Sequence, residues 1–325
     1  MNSYIQRLTK DVLAGKNILF SQAERLINAP DDDLLLLLDG ANKIRNRFRG
    51  NKINLCSITN AKSGKCSQDC KFCSQSNFHK TDIKTYSLIK LDKILARAKK
   101  YYQAGSNRFC IVVSGRALTK NDFETVCHAI VQIKKRWPNM RRDASLGELT
   151  FEMAEKLKLA GLQRYNHNLE TVEEFFPKIC TTHSFDDRIK TLEVLRKVGL
   201  QICSGGIFGL GETKKQRVEF AYFLKELNVD CMPLNFLNPV KGTAFENNKP
   251  LKPFEILKTI AMFRFVNPKK QIRICGGREK NLRSLQSLIF FSGCDSIIFG
   301  DYLTTKGNAL NDDLQMIKDL GLKIR

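Results

Sequence analysis

From residue 51 onward the chain alternates short apolar or β-branched runs with longer amphipathic ones. The short runs are Ile53–Thr59, Arg108–Ser114, Asp143–Gly147, Tyr165–Glu170, Gln201–Phe208, Cys231–Leu237, Gln271–Gly276 and Ser296–Gly300. Each has the length and residue types of a buried strand. Apolar positions at helical spacing fill the stretches between them, for example Leu91–Ala104, Asn121–Arg136, Phe185–Val198 and Lys214–Leu227. Gly105, Gly161, Gly199 and Gly293 stand where such helices would close before the next strand. Eight strand–helix alternations with no dividing linker predict an α/β fold, a (β/α)8 TIM-type barrel spanning 51–325 as one domain. Residues 1–50 read as an N-terminal helical extension, with Ser21 and Glu24 in a capping-box pattern.

Alternation along a strand then sorts polar residues by face. Asn166, Asn168 and Glu170 share a face of the fourth run, Cys203 and Gly205 of the fifth, Arg273 and Cys275 of the seventh. His167 falls between two inward positions and is expected to face the helices. Inward polar side chains are costly unless satisfied. Several strands contribute them, so a lined cavity at the C-terminal strand ends is expected, where barrel enzymes carry their chemistry.

Composition narrows the setting. Lys+Arg 54 against Asp+Glu 33 gives a net charge of +21. The lysines are scattered over helical segments and no aromatic-interleaved basic tract stands out, so the charge reads as solvated surface and no nucleic-acid partner is expected. The same field would favour a small acidic electron donor. No apolar run of about 18 residues is present, so no membrane partner is expected. Charges at Arg7, Lys10, Asp11 and Lys16 argue against a secretory leader. A cytoplasmic location follows as an expectation, and there 11 cysteines suggest metal ligands and free thiols, not disulfides.

Three of those cysteines, Cys66, Cys70 and Cys73, form a Cys-x3-Cys-x2-Cys motif just after the first strand. Soft thiolates select iron–sulfur clusters or zinc. A closed zinc site would need a second knuckle or nearby histidines, which this run lacks. Three ligands on a four-iron cluster leave one iron open to a small molecule. This motif, with Phe72 before its last cysteine, resembles that of the radical S-adenosylmethionine superfamily. The resemblance implies a [4Fe-4S] cluster whose open iron binds S-adenosylmethionine and yields a 5'-deoxyadenosyl radical.

Further stretches are similar to the biotin synthase family. They are the run from Lys62 to Ser76, Arg108-Phe109-Cys110, Tyr165 to Thr171, Ile202 to Ile207, Gly209 to Thr213, Asn235, Val240 to Thr243, Gly277-Arg278-Glu279 and Leu303-Thr304-Thr305. The resemblance implies insertion of sulfur into dethiobiotin, with sulfide drawn from a second iron–sulfur cluster deeper in the barrel. Of that cluster's family ligands, Cys110, Cys203 and Arg273 match, whereas the third cysteine falls at Asp143. Cys275, two residues beyond Arg273, is expected to replace it in a reshaped centre, [2Fe-2S] or of higher nuclearity. The alternative is that Asp143 itself ligates iron and Cys275 is an ordinary thiol.

By the same match, Phe72, Gly205, Gly206 and Ile207 would contact S-adenosylmethionine, as would Asn168 and Glu170, placed between it and the substrate. Lys62, Asn166, Asn235, Thr304 and Thr305 would bind dethiobiotin. Cys56, Cys127, Cys180, Cys231 and Cys294 read as small buried thiols. The resemblance also implies a homodimer and a donor such as flavodoxin or ferredoxin. The competing readings are another radical enzyme on this barrel, of mutase or hydrogenase-maturation type, and an RNA-modifying sulfur-insertion enzyme.

Overall fold

In the computed structural model, which describes all 325 residues, every barrel strand pairs in parallel with its neighbours. The strands are β1 (Lys52–Lys62), β2 (Arg108–Val113), β3 (Arg141–Ser145), β4 (Arg164–Asn166), β5 (Gln201–Cys203), β6 (Gly206–Phe208), β7 (Cys231–Phe236), β8 (Gln271–Ile274) and β9 (Ser296–Ile298). They follow one another in chain order, and β9 returns to pair with β1, closing the barrel. A tenth short strand, β10 (Lys323–Ile324), pairs with the start of β1.

Helices α4 (Leu91–Gln103), α5 (Lys120–Arg136), α6 (Phe151–Ala160), α7 (Phe185–Val198), α8 (Lys214–Glu226) and α9 (Pro253–Val266) fill the connections. Side-chain caps start α5 to α8: Thr150 Oγ1 accepts from Met153 N–H on α6, for example, and Ser184 with Asp187 forms a capping box on α7. Gly161 and Gly199 end α6 and α7 in left-handed conformations. This is the predicted (β/α)8 barrel.

Before it come α1 (Asn2–Leu13), α2 (Phe20–Ile27) and α3 (Leu34–Arg49). The capping box expected at Ser21 and Glu24 is displaced: α2 begins at Phe20, and Leu19 N–H donates to Gln22 Oε1 at 2.8 Å. Helix α9 is buried along its whole length from Ile256 to Val266. A helix apolar on all sides needs cover on all sides, and α2 and α3 supply it on the face turned from the barrel. No helix is long and apolar enough to cross a membrane.

Two strand boundaries differ from the sequence reading, both for reasons that shape the cavity. The run Gln201–Phe208 is one barrel position broken into β5 and β6 at Ser204 and Gly205. At the break the Gly205 carbonyl turns to accept from both Leu169 and Glu170 N–H, each at 3.0 Å. Strand β4 ends at Asn166, but His167 and Leu169 N–H still donate to Cys203 O and Gly205 O at 3.0 Å, and the chain turns only at Glu170, where φ reaches +70°.

Candidate active site

A cavity of about 430 Å³ opens among the C-terminal ends of the strands. Its lining comes from the loops after β1, β8 and β9 and from the ends of β2, β3, β4, β6 and β7. Cys66, Cys70, Phe72 and Cys73 line it, and so do Cys110, Arg273 and Cys275. Thiols more than 200 residues apart therefore share one space.

The loop carrying the three motif cysteines is shaped by its own backbone. Cys66 N–H donates to Gln75 O at 3.0 Å, Asn77 N–H to Cys66 O at 2.8 Å, and Cys73 N–H to Cys70 O at 2.9 Å. Lys71 N–H donates to Ile179 O at 2.9 Å, tying the loop to the segment after β4. At the barrel seam the loops after β1 and β9 meet: Asn60 Nδ2 donates to Leu303 O at 2.9 Å, and the Ser74 and Thr304 hydroxyls lie 2.9 Å apart. Thr304 and Thr305 thus join the lining beside the cluster loop.

Across the cavity stand Asn166, His167, Asn168 and Glu170. Burial raises the Glu170 carboxyl above its ordinary range, opposed by Arg188 and by Asn168, whose Nδ2 donates to Glu170 Oε2 at 3.5 Å. Asn168 Oδ1 and His167 Nε2 are buried without protein partners. His167 is among the lining residues, yet its ring lies 6.5 Å from that of the core residue Tyr165, two positions back on the same strand face, as the alternation predicts. Arg188, on α7, donates to Asn168 O at 2.7 Å and holds this segment in place.

Deeper in the barrel, Cys56, Cys110 and Cys275 pack together with Ile298. Cys203 sits opposite Cys231 in the β5–β7 register, and Arg273 Nη1 lies 3.7 Å from Cys203 Sγ. Burial raises the Cys110 and Cys275 thiols well above their usual range. Arg273 Nη2 has no protein partner despite complete burial. Beside Cys110 in register lies Asp143. One of its oxygens is ion-paired with Arg108, and the other, Oδ2, is buried and unpartnered. Orphaned polar atoms are expensive inside a fold. An anionic cluster bound by thiolates would satisfy the guanidinium, so this donor set fits a second iron–sulfur centre; for the cluster loop, three soft donors lining one cavity fit the first.

The remaining predicted residues divide. Ile207 and Asn235 line the cavity. Asn235 is already committed to backbone, donating from Nδ2 to Gly206 O at 3.1 Å and accepting at Oδ1 from Gly276 N–H at 3.0 Å. Gly205 and Gly206 are required by close backbone approach: a Cβ at Gly205 would lie 2.1 Å from Pro233 O, and one at Gly206 2.2 Å from Glu170 O. Lys62 points away from the lining, toward Asp122 on α5, with N···O 3.6 Å. Sequence reasoning missed Arg188, His183 and Cys180. Cys180 was read as a simple buried thiol, yet its Sγ lies 3.7 Å from Cys70 Sγ. No sequence signal marks that contact, because it is made across two loops.

Comparisons with known proteins agree with this geometry. Residues 60–224 match the family model described as the Radical SAM superfamily, and residues 233–323 match the Biotin and Thiamin Synthesis associated domain. Biotin synthase of Clostridium tetani is 47% identical over 325 residues, covering 100% of this chain and 99% of that protein. Biotin synthase of Carboxydothermus hydrogenoformans is 46% identical over 326 residues, with 100% of both chains covered. Among solved structures, methylornithine synthase (PylB) superposes with TM-score 0.85 at 18% identity, covering 98% of this chain and 97% of that one. The [FeFe]-hydrogenase maturase HydG gives 0.84 at 16% identity, covering 99% and 75%. At such identities the last two establish the shared fold alone.

Proposed function

This chain belongs to the biotin synthase family of radical S-adenosylmethionine enzymes, and from that premise we propose that its cavity inserts sulfur into dethiobiotin, with Cys66, Cys70 and Cys73 holding a four-iron cluster and Cys110, Cys203, Cys275 and Arg273 holding a second iron–sulfur centre. When bound, the first cluster with S-adenosylmethionine supplies a 5'-deoxyadenosyl radical, and the second centre supplies sulfide. The observation that carries this reading is that Cys66, Cys70, Cys73, Cys110 and Cys275 line one cavity, with Cys203 just behind it, 3.7 Å from the buried Arg273 guanidinium whose other nitrogen is unpartnered.

The protein's own part is to bind, orient and exclude water. Asn168 and Glu170 line the same cavity as the thiols, where they orient the ribose of S-adenosylmethionine against the substrate. Glu170 is half-buried on a backbone fixed by the Gly205 carbonyl, so it presents a set of oxygens that moves little. Phe72 and Ile207 provide apolar contact for the adenosyl group. Gly205 and Gly206 keep the adjoining strand edge close to it. Asn166, Asn235, Thr304 and Thr305 supply hydrogen-bonding groups for the ureido ring and carboxylate of dethiobiotin. Lys62 serves the substrate only if it swings away from Asp122. A water-poor cavity protects a carbon radical from side reactions. The +21 net charge suits an acidic donor such as flavodoxin or ferredoxin, and a homodimer is the family expectation.

One observation favours a second ligand set: the unpartnered Asp143 Oδ2 is available to iron. An anaerobic single-turnover assay of cluster-reconstituted protein with dethiobiotin, S-adenosylmethionine and a reductant tests the function. Biotin formed together with 5'-deoxyadenosine supports sulfur insertion. Deoxyadenosine without biotin, in protein holding both clusters, would overturn it and leave only radical chemistry on another substrate.

A further inference from the structure

Cys70, Cys180 and His183 bring one donor atom each within 4.8 Å of the others, close enough for a single metal ion. The hydrogen bonds around them argue for a different role. Arg188 Nε lies 3.0 Å from His183 Nε2. A guanidinium N–H only donates, so Nε2 must accept and the imidazole hydrogen must sit on Nδ1. A ring in that tautomer offers no lone pair at Nδ1 to a metal. It offers a donor instead, 3.1 Å from Cys180 Sγ and 2.8 Å from Gln68 Oε1.

The Cys180 hydrogen has three acceptors in reach; Thr182 Oγ1, at 3.6 Å, already accepts from Asp69 N–H at 3.1 Å. Asp69 Oδ1 is 3.0 Å away, but that oxygen already receives Thr181 N–H at 2.9 Å, Thr182 N–H at 3.1 Å and Thr182 Oγ1–H at 2.9 Å. Its lone pairs are taken. Cys70 Sγ, at 3.7 Å from Cys180 Sγ, accepts once it is a metal-bound thiolate. With the single Nδ1 hydrogen of His183 shared between Gln68 Oε1 and Cys180 Sγ, the series runs one way, from the guanidinium of Arg188 through His183 and Cys180 to Cys70.

We infer that Cys180 is a positioning residue which donates its S–H to the Cys70 thiolate, and that the Arg188–His183–Cys180 chain raises the reduction potential of the first cluster. Hydrogen bonds to cluster sulfurs stabilise the reduced, more negative state. The same guanidinium donates to Asn168 O at 2.7 Å, so one arginine braces both a cluster ligand and the segment proposed to hold S-adenosylmethionine. The inference rests on Cys66, Cys70 and Cys73 being the ligands of that cluster; absence of a four-iron cluster from the native chain would be the distinct failure of that reading.

The test is a potentiometric titration of the reconstituted full chain followed by electron paramagnetic resonance. The first cluster is identified by the change in its spectrum when S-adenosylmethionine is added. Cys180→Val should make reduction about tenfold less favourable, a fall of ~59 mV for a one-electron couple. Cys180→Ser, which keeps a donor, should restore most of the shift. His183→Leu, with Cys180 intact, should fall part of the way. Should Cys180→Val fail to hold its cluster, the serine and His183 variants carry the test: native potential in serine and a lower one in leucine supports the chain. Native potential in both Cys180→Val and His183→Leu would overturn it, as would a serine variant displaced as far as valine.

Discussion

The buried pair Arg108–Asp143 decides between the two ligand sets for the second centre, and its energetics can be worked out in advance. The side chains are 2% and 1% exposed, so neither charge has water to fall back on. Arg108→Met would leave a carboxylate with both oxygens unpartnered, since Oδ2 already has none. Breaking a buried pair from one side costs about 3–5 kcal/mol. Removing both charges, as Arg108→Met with Asp143→Leu, replaces the pair by apolar bulk and should restore most of that loss. The urea midpoint of the cluster-free full chain should fall by roughly 1–2 M in the single variant, taking a slope of about 3 kcal/mol per M. It should recover in the double variant, giving a coupling of roughly 3 kcal/mol. A single variant within about 0.5 kcal/mol of the parent would refute the reasoning. The reconstituted double variant also reads out the ligands. Full iron and sulfide supports Cys275 as the replacement ligand; loss of the second centre alone would mean that Asp143 Oδ2 binds iron.

Four further outcomes follow from features already described. Cys275→Ala should abolish the second centre and spare the first, read as iron and sulfide content; a full complement would contradict the proposed ligand set. Burial, reinforced by the charge of Arg188, holds the His167 imidazole well below its usual range, so below about pH 6.5 the unfolded chain binds more protons than the folded one. Stability is therefore fully present above that pH and declines as pH falls, by up to about 1.4 kcal/mol per unit; His167→Phe should flatten urea midpoints measured from pH 6.5 to 5. Gly206→Ala drives a Cβ to 2.2 Å from Glu170 O, costing about 1–3 kcal/mol and weakening S-adenosylmethionine binding by cluster-loaded protein; unchanged affinity and stability would contradict it. Lys62→Met should leave the KM for dethiobiotin unchanged, because Lys62 turns to Asp122; a marked rise would return Lys62 to the substrate.

The barrel was legible because its strands are short buried runs and its helices end on glycines such as Gly161 and Gly199. The motif cysteines were legible because chemistry fixes their spacing over a single loop. Pairing across loops leaves no such trace. Cys180 reaches Cys70 because Lys71 N–H is fastened to Ile179 O and Thr181 and Thr182 N–H to Asp69 Oδ1, and nothing in the local sequence of either segment announces the other. Cys56 joins Cys110 and Cys275 through barrel closure, which depends on shear between strands and not on composition. Asn166, Asn168 and Glu170 were legible as lining because period-two alternation holds up to the turn at Glu170. Strand five was read as continuous because its apolar content does not reveal that Gly205 sits against Pro233 O.

The seam between β1 and β9 also sets a timetable for the enzyme's birth. The cluster loop emerges from the ribosome with the first strand, but two of its fastenings, Asn60 to Leu303 and Ser74 to Thr304, come from a segment made more than 200 residues later. Synthesis proceeds at about 5–20 residues per second. For roughly ten seconds or more, then, Cys66, Cys70 and Cys73 are exposed thiols on an open sheet, without the wall that completes their cavity. Iron supplied in that interval meets three unshielded donors held only by the loop's own backbone bonds. Productive loading belongs after the last strand has docked, and a nascent chain stalled before Ser296 would be a sink for metal without becoming a catalyst.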